Sequence, residues 1–579
     1  MAAASPNEAA PTRLSLAHWA QLAILVLLAA ALYLPAMQVP FYFDDFSSIV
    51  ENFALHDPTD LGAIWNHAPS RFVGSWTLAA NYALGGQDVF GYHLVNVLIH
   101  IGSGLALWAL GAALIRSEAM AGAAGDGWAK WLPLIAALLF VAHPLQTQAV
   151  TYIVQRYASL VAMFYLASMA FYAWARVHSS YRWFAACALC AALALFTKQN
   201  AATLPVALLL VELVFFQKLS PRMRAVLAAA AALLAIAVYA LVNLDSLNQV
   251  GITRETMDIS RLDYLATQME VLWRYVGLFF LPVDQRLEYD IALAGGFHQW
   301  GTALATVGHL ALIAGAFAFW RRLPMAAFGM LFFYIAHAVE SSIFPITDLA
   351  FEHRTYLPNA GIALAVGSAL AWLIGRGRFK VAGWVAVGLA VAAFSGLTVN
   401  RNLLWQDRIA FLRADAELSS SSPRAWTSLA KELMRDGKHR EALDALGTAL
   451  NKGRTSYGLE VPGATLVNTV MALHYTGQNR KALHFARKVP VDELTQVERS
   501  RFHEARGLAL LSLADMGRAR KEIEEAVDTY PNVNALAVLA ALDLAQDHPD
   551  RALKRARRVL EVNPGHPLAK KVLKRLAER

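Results

Sequence analysis

Two things are scarce in this chain of 579 residues: cysteine and charge. Its two cysteines, Cys187 and Cys190, sit together in an apolar stretch, so no disulfide framework can be drawn, and close helix packing accounts for the pair. Charged residues make up 16% of the sequence and hydrophobic ones 57%, whereas soluble domains carry about a quarter charged residues. That deficit excludes a wholly soluble chain. The formal charge of +8 does not call for nucleic acid, because the basic residues gather in short loops between apolar runs, as on the cytoplasmic side of a membrane. The first apolar run lacks a clear small-residue cleavage site after it and reads as a retained span.

What is abundant is apolar sequence between residues 16 and 400, in stretches long enough to cross a bilayer. The expected spans are 16–36, 93–115, 132–150, 157–175, 183–198, 200–217, 225–243, 299–319, 325–343, 358–375 and 380–400. Arg13, Arg116 with Lys130, Arg176 with Arg182, Lys218 with Arg222 and Arg224, Arg321 with Arg322, and Arg376 with Arg378 mark alternate loops as cytoplasmic. This arithmetic leaves residues 265–281 out of the count. They carry Glu270 and Arg274, which are costly in lipid, and read as a re-entrant or surface-lying helix. The result is an all-α chain with about eleven crossings, its N-terminus inside and its C-terminus outside. The large outward loops are then 37–92, 144–156, 244–298 and 344–357. The expected domains are a cytoplasmic N-terminus at 1–15, a membrane domain at 16–404, a connector at 405–422 and a repeat domain at 423–579.

After residue 405 the long apolar runs stop and charge rises. Helical periodicity continues, with Gly437, Gly477 and Gly517 recurring every 40 residues, each between an apolar helix and a basic-started one. This resembles tetratricopeptide repeats, whose ideal period is about 34 residues. Stacked helix pairs of this kind form an α-solenoid with a concave surface suited to peptide or protein.

The chemistry gathers in the outward loops. VPFYFDDFSSIVEN places Asp44 and Asp45 side by side among aromatics, where two carboxylates need compensation and one is able to deprotonate a hydroxyl. His93, Asn96 and His100 share one face of the second span, for catalysis or for interhelix hydrogen bonding. His143 precedes the helix-breaking Pro144. The topology brings Arg156, Lys198, His353 and Arg354 to one membrane level, with Glu352 beside them, and clustered cations there suit a phosphate or pyrophosphate leaving group. Tyr289 and Asp290 fall in the same outer region, to contact carbohydrate or lipid carrier, or to pack.

FDD at 43–45, GYHLVN at 91–96, AHPLQTQAV at 142–150, the Lys198 segment and EHRTYLP at 352–358 occur in an order and placement that resembles the transmembrane and tetratricopeptide-repeat O-mannosyltransferase-like proteins of the GT-C glycosyltransferase superfamily. The resemblance covers nearly the full length. It implies a GT-C-like polytopic membrane domain and a polyprenyl- or dolichyl-phosphate sugar donor. It also implies an acidic residue serving the acceptor, carried here onto Asp44 or Asp45. The function then expected is inverting transfer of a sugar from a polyprenyl-phosphate-type or polyprenyl-diphosphate lipid to a hydroxyl of a secreted or pilin-like acceptor protein, recruited by the repeats. The expected location is a bacterial cytoplasmic (inner) membrane with the repeats periplasmic. A divalent metal is left open, since basic side chains neutralise phosphate without one. Relatives often show a second His and a Glu where this chain has Gln146 and Gln148, and a Lys-Glu pair where it has Lys198-Gln199. A noncatalytic scaffold and a transporter of lipid-linked sugars are the competing readings.

Overall fold

A computed structural model describes residues 15–122, 127–216, 259–452, 462–563 and 565–578. The expected span 225–243, the basic residues Arg13, Lys218, Arg222 and Arg224, and most of the segment 1–15 lie outside these residues. Every regular element among the described residues is helical. The chain divides into two compact units, one of Met1–Leu287 with Leu293–Arg408, the other of Glu288–Ala292 with Ile409–Arg579.

The first unit contains α1 (Leu16–Tyr33), α2 (Leu61–His67), α3 (Phe72–Gly85), α4 (Val89–Leu114), α5 (Leu132–Ala142), α6 (Arg156–His178), α7 (Tyr181–Leu195), α8 (Leu204–Phe215), α9 (Arg261–Phe280), α10 (Trp300–Phe319), α11 (Pro324–His337), α12 (Pro358–Gly375) and α13 (Lys380–Gln406). Side-chain caps set several starts: Ser15 accepts from the His18 N–H at α1, and Asp88 from the Phe90 N–H at α4. Pro144 has no N–H to continue α5, so the chain breaks at His143 and resumes over Pro144–Val150 at an angle of 56°.

Among the described residues, six stretches are long and apolar enough to cross a membrane: Leu16–Gln38, Val89–Leu114, Ile153–His178, Trp300–Phe319, Pro358–Gly375 and Gly377–Gln406. The bent pair Ala129–Ala142 and Pro144–Val150 makes a seventh if it is one span. The expected spans 183–198, 200–217 and 325–343 appear as the shorter apolar helices Tyr181–Leu195, Gln199–Phe215 and Pro324–His337. This is a multi-pass membrane protein. The apolar windows of α4 and α6 are 72% buried and those of α10 and α13 only 17%, so α4 and α6 form the centre of the bundle and α10 and α13 its border. In α11 and α12, Gly329 and Gly361 face each other so closely that a Cβ on either would collide with the other's carbonyl oxygen. Small residues allow this approach where lipid gives little drive for helix association. The amphipathic α9, which carries Glu270 and Arg274, is tied to α10: the Thr302 hydroxyl donates to Glu270 at 2.6 Å and the Trp273 indole to the Ala305 carbonyl at 2.9 Å.

The second unit begins with α14 (Arg408–Leu418) and continues in helix pairs: α15 (Pro423–Arg435) with α16 (His439–Asn451), α17 (Gly463–Tyr475) with α18 (Asn479–Ala486), α19 (Gln496–Ser512) with α20 (Met516–Thr529), and α21 (Val533–Ala545) with α22 (Pro549–Val562), closed by α23 (Pro567–Ala577). Small residues sit where paired helices cross. Ala430, Ala540, Ala442, Ala482, Ala519 and Ala552 are all fully buried.

Each pair turns through one residue of positive φ: Gly437 (75°), Gly477 (78°), Ala514 (60°) and Asp547 (62°). The next N–H closes each turn onto the carbonyl five residues back: Lys438 to Leu433, Gln478 to Leu473, Asp515 to Leu510 and His548 to Asp543, at 2.8–3.0 Å. The regular 40-residue glycine spacing is therefore corrected at its third member. Gly517 lies inside α20 and Ala514 makes the turn, so successive turns are 40, 37 and 33 residues apart.

Asp543 is fully buried in the fourth pair, bound by Arg520 (2.7 Å) and Arg555. Asp543→Ala is expected to destabilise this unit by about 1–3 kcal/mol, because it strands two partly buried guanidinium groups. Ala514→Gly should act in the opposite direction, raising stability by about 0.5–1 kcal/mol as glycine takes positive φ without strain. Denaturant titration of the full chain, followed by proteolysis within residues 463–577, measures both.

Candidate active site

The first loop of the membrane unit turns sharply at Phe43, whose φ of 33° is unusual for a residue with a side chain. The turn sends its two acidic residues different ways. Asp45 is fully buried, and its two oxygens accept the Tyr42 N–H (2.8 Å) and the Val154 N–H (2.7 Å). Burial pushes its carboxyl up to about 8; the two N–H bonds work against this, the neighbouring Asp44 adds to it and Arg408 opposes it. Asp44 is exposed, and its N–H donates to the Tyr152 hydroxyl at 3.0 Å. The Tyr42 hydroxyl donates to the Trp405 carbonyl at 2.6 Å, and the Arg408 guanidinium lies over the Tyr42 and Phe46 rings.

A second cluster centres on Lys198 and the 352–355 turn. Lys198 Nζ is 2.6 Å from Glu340 Oε1, and both side chains are nearly buried. The Tyr264 hydroxyl donates to the Glu340 carbonyl. Gln148 Oε1 accepts the His353 N–H at 2.6 Å and lies 3.1 Å from His353 Nδ1. Arg354 donates to the Asp348 carbonyl at 2.7 Å. Burial, then the charges of Lys198, Arg354 and Arg71, hold His353 well below the usual histidine range, so it sits neutral among cations. Arg71 reaches this neighbourhood because its loop is stitched to the Lys198 segment: the Val73 N–H donates to the Phe196 carbonyl and the Gln199 amide to the Ser70 hydroxyl.

The segment between Gln148 and Val154 holds both clusters, the first through Asp45 and the second through His353. Six residue steps span at most about 22 Å of extended chain. Both turns are therefore anchored to the same short segment.

Other residues singled out in the sequence are occupied in the scaffold. Arg156 is fully buried, and donates from Nε to Asn96 Oδ1 (2.6 Å), from Nη1 to the Thr77 carbonyl (3.0 Å) and from Nη2 to the Tyr92 carbonyl (2.9 Å). It binds α3, α4 and α6 together. His93 Nε2 is 2.7 Å from the Val39 carbonyl; His100 sits between the Tyr356 hydroxyl and the Val141 carbonyl. His143 bridges the Phe279 carbonyl and the Leu145 N–H across the break after α5. Glu352 accepts the Arg286 N–H (2.6 Å) and the Gln285 amide (3.0 Å), and so pins the loop after α9. Tyr289 and Asp290 fall in Glu288–Ala292, the segment that clusters with the repeat unit.

Sequence reasoning missed Glu340 and Arg71. Glu340 carried a signal, since an acidic group within an apolar run is a functional candidate by default. Arg71 carried none, because its loop's contacts with Phe196 and Gln199 have no sequence trace. Among the described residues no group of three or more His, Cys, Asp or Glu side chains is arranged to hold a metal.

No family model matches the sequence. The chain is 22% identical to protein O-mannosyl-transferase TMTC3 of Homo sapiens, across 95% of this chain and 68% of that protein. It is 21% identical to the same-named protein of Mus musculus, across 76% of this chain and 53% of that one. Over 197 residues it is 30% identical to protein O-mannosyl-transferase TMTC2 of Mus musculus, a match that takes in 30% of this chain and 22% of that protein. It thus spans only part of each relative's length. Among solved structures, ArnT from Cupriavidus metallidurans bound to undecaprenyl phosphate aligns over 83% of this chain and 82% of its own, at 13% identity and a TM-score of 0.34, a likeness too slight to assign anything. Along nearly all of its length, the chain is thus similar in sequence to a protein O-mannosyl-transferase.

Proposed function

We propose that this protein transfers a sugar from a polyprenyl-phosphate-type lipid donor to a hydroxyl of an acceptor protein, at the non-cytoplasmic face of its membrane, within a GT-C-like membrane domain. One observation carries the reading: an exposed carboxylate, Asp44, stands on a buried one, Asp45, within a short chain segment's reach of Lys198, His353 and Arg354. The relatives named as protein O-mannosyl-transferases support it.

Asp44 takes the acceptor's hydroxyl proton, the oxygen attacks the anomeric carbon, and the sugar–phosphate bond breaks on the far side with inversion. Lys198 and Arg354 stabilise the departing phosphate oxygens, and neutral His353, whose one ring N–H faces Gln148 Oε1, holds the turn without adding charge to an already cationic site. Asp45 makes no contact with the acceptor in this scheme; it fixes the turn that presents Asp44. Arg156, His93, His143 and Glu352 keep the surrounding helices and loops in register. The helix pairs of the second unit bind the acceptor polypeptide, and Tyr289 and Asp290, which cluster with them, act there and not on the donor.

With purified full-length protein in lipid nanodiscs, a polyprenyl-phosphate sugar and an extracytoplasmic acceptor, sugar transfer is read by intact mass. Asp44→Asn should lower transfer about 100-fold or more while leaving donor retention unchanged. Full transfer by this variant removes Asp44 from the base role.

Asp45→Asn loses one acceptor of its two N–H bonds and is expected to cost about 1–3 kcal/mol of local stability. The same variant tests the pH dependence. A carboxyl raised in the folded state stabilises fully below its unfolded value, and that stability drains as pH rises toward about 8. Thermal stability should therefore fall between about pH 4 and pH 8 and level off above, and Asp45→Asn should flatten this slope. Identical slopes for the two proteins would refute it.

A further inference from the structure

We infer that the last two helices of the repeat unit, α22 and α23, lay a basic face on a bilayer surface of anionic phospholipid. Residues 549–578 hold nine basic and three acidic residues, a surplus of six in a chain whose formal charge is +8. The stretch before them runs the other way: residues 515–547 hold three basic and seven acidic residues. Positive charge is thus concentrated at one end of the repeats and is not spread along them.

Helical periodicity sorts these charges onto one side. On α22, Ala552, Ala556 and Val559 are fully buried, and on α23 so are Ala569 and, nearly, Val572. All five belong to the core shared with Ala537, Ala540 and Leu544 of α21. Lys554, Arg557 and Arg558 lie on the opposite side of α22, and Lys570, Lys571, Lys574 and Arg575 on the opposite side of α23; all seven are exposed. Both helices therefore turn basic faces away from one common core.

These charges do not staple the fold. Elsewhere in the unit several exposed basic groups have acidic partners: Arg413 pairs with Glu441, Arg435 with Glu432 and Arg518 with Asp515. Among the described residues, Lys554, Arg557, Arg558, Lys570, Lys571 and Arg575 have no acidic group within ion-pairing distance, and Lys574 has Glu578 alone, at 3.9 Å. They also crowd one another. Lys554 and Arg558, Lys570 and Lys574, and Lys571 and Arg575 are each four residues apart on one helix, a spacing at which like charges repel. A terminal cap that has only to stay in water needs polarity, not a single sign. Rows of one sign are relieved by an external anion.

The bilayer is the anionic surface at hand. α14 begins at Arg408, two residues after α13 ends at Gln406, so the repeat unit is joined by its own chain to a long apolar helix, and a tether of that kind raises the effective concentration of headgroups. Lysine and arginine side chains without fixed partners suit a fluid layer of phosphates, which presents charge without a fixed geometry. An acidic polypeptide would need, in addition, groups that hold its backbone in place. Each basic residue close to an anionic surface adds its own attraction, and salt screens it.

The test places the full-length protein in nanodiscs of phosphatidylcholine and in nanodiscs of an equal mixture of phosphatidylcholine and phosphatidylglycerol. Amine labelling rates at Lys554, Lys570, Lys571 and Lys574 are read by peptide mass spectrometry, with Lys481 and Lys521, exposed on α18 and α20, as internal references. Phosphatidylglycerol should slow the four lysines about fivefold relative to the references, and sodium chloride at about 0.5 M should restore their rates. Arg557→Gln combined with Arg558→Gln, which alters neither the core nor a labelled lysine, should cut this protection about threefold. Equal labelling of the four lysines in the two nanodiscs would overturn the assignment, as would equal slowing of the reference lysines. Protection by added polyglutamate in phosphatidylcholine nanodiscs, with none from phosphatidylglycerol, would give the face to an acidic polypeptide and overturn it as well.

Discussion

The buried carboxylate of Asp45 is the constraint on which the rest of the site depends. Its two oxygens join the backbone of residue 42 to that of residue 154, two segments more than a hundred positions apart in sequence. The strained turn at Phe43 then has only one way to present Asp44, which is outward. Because the same 148–154 stretch also holds His353, the acidic and cationic halves of the site are positioned by one short piece of chain rather than by two independent loops. Burying an acid has a cost, and both N–H donors offset it, so the arrangement is specific to a carboxylate or its near isostere.

The cationic half is organised by pairing. Where relatives often place Lys and Glu next to each other, this chain has Lys198 followed by Gln199, and the acid that faces the lysine comes instead from Glu340, beyond the end of α11. The Gln148 carbonyl oxygen likewise accepts from the His353 backbone, the task of an acceptor without a charge. In this chain the partner of the lysine comes from far along the sequence, which sequence adjacency alone does not reveal. The site keeps its excess of positive charge while keeping each buried cation close to a carbonyl or a carboxylate.

Much of the fold was legible because it follows from period and hydropathy. Apolar runs marked the long apolar helices, six or seven of them among the described residues against eleven expected crossings, and Pro144 marked the break after α5. The errors have physical causes. Gly517 matched a spacing, but a turn needs a positive φ rather than a particular residue, and Ala514 supplies it. Arg156 was expected among the outward cations on topology alone, and topology places a residue only along the membrane normal. It does not show that three main-chain and amide oxygens already surround the guanidinium. Glu352, His93 and His143 share this character: polar groups in or near spans whose partners are backbone carbonyls and N–H groups, invisible until the chain is folded. Within the acidic pair, the sequence shows two equal neighbours, and only the turn at Phe43 separates the outward one from the inward one.

The glycine contact between α11 and α12 has a consequence for how this protein tolerates change. The residues that close the cationic cluster lie just past the C-terminal end of one of these helices and just before the N-terminal start of the other, Glu340 following α11 and His353 preceding α12. The distance between the helix axes thus bears on the spacing of Glu340 and His353. Any side chain introduced at Gly329 or Gly361 would wedge the axes apart. On the transferase reading, such alleles would map with the chemistry in a genetic screen, although no atom of the altered residue belongs to the cluster.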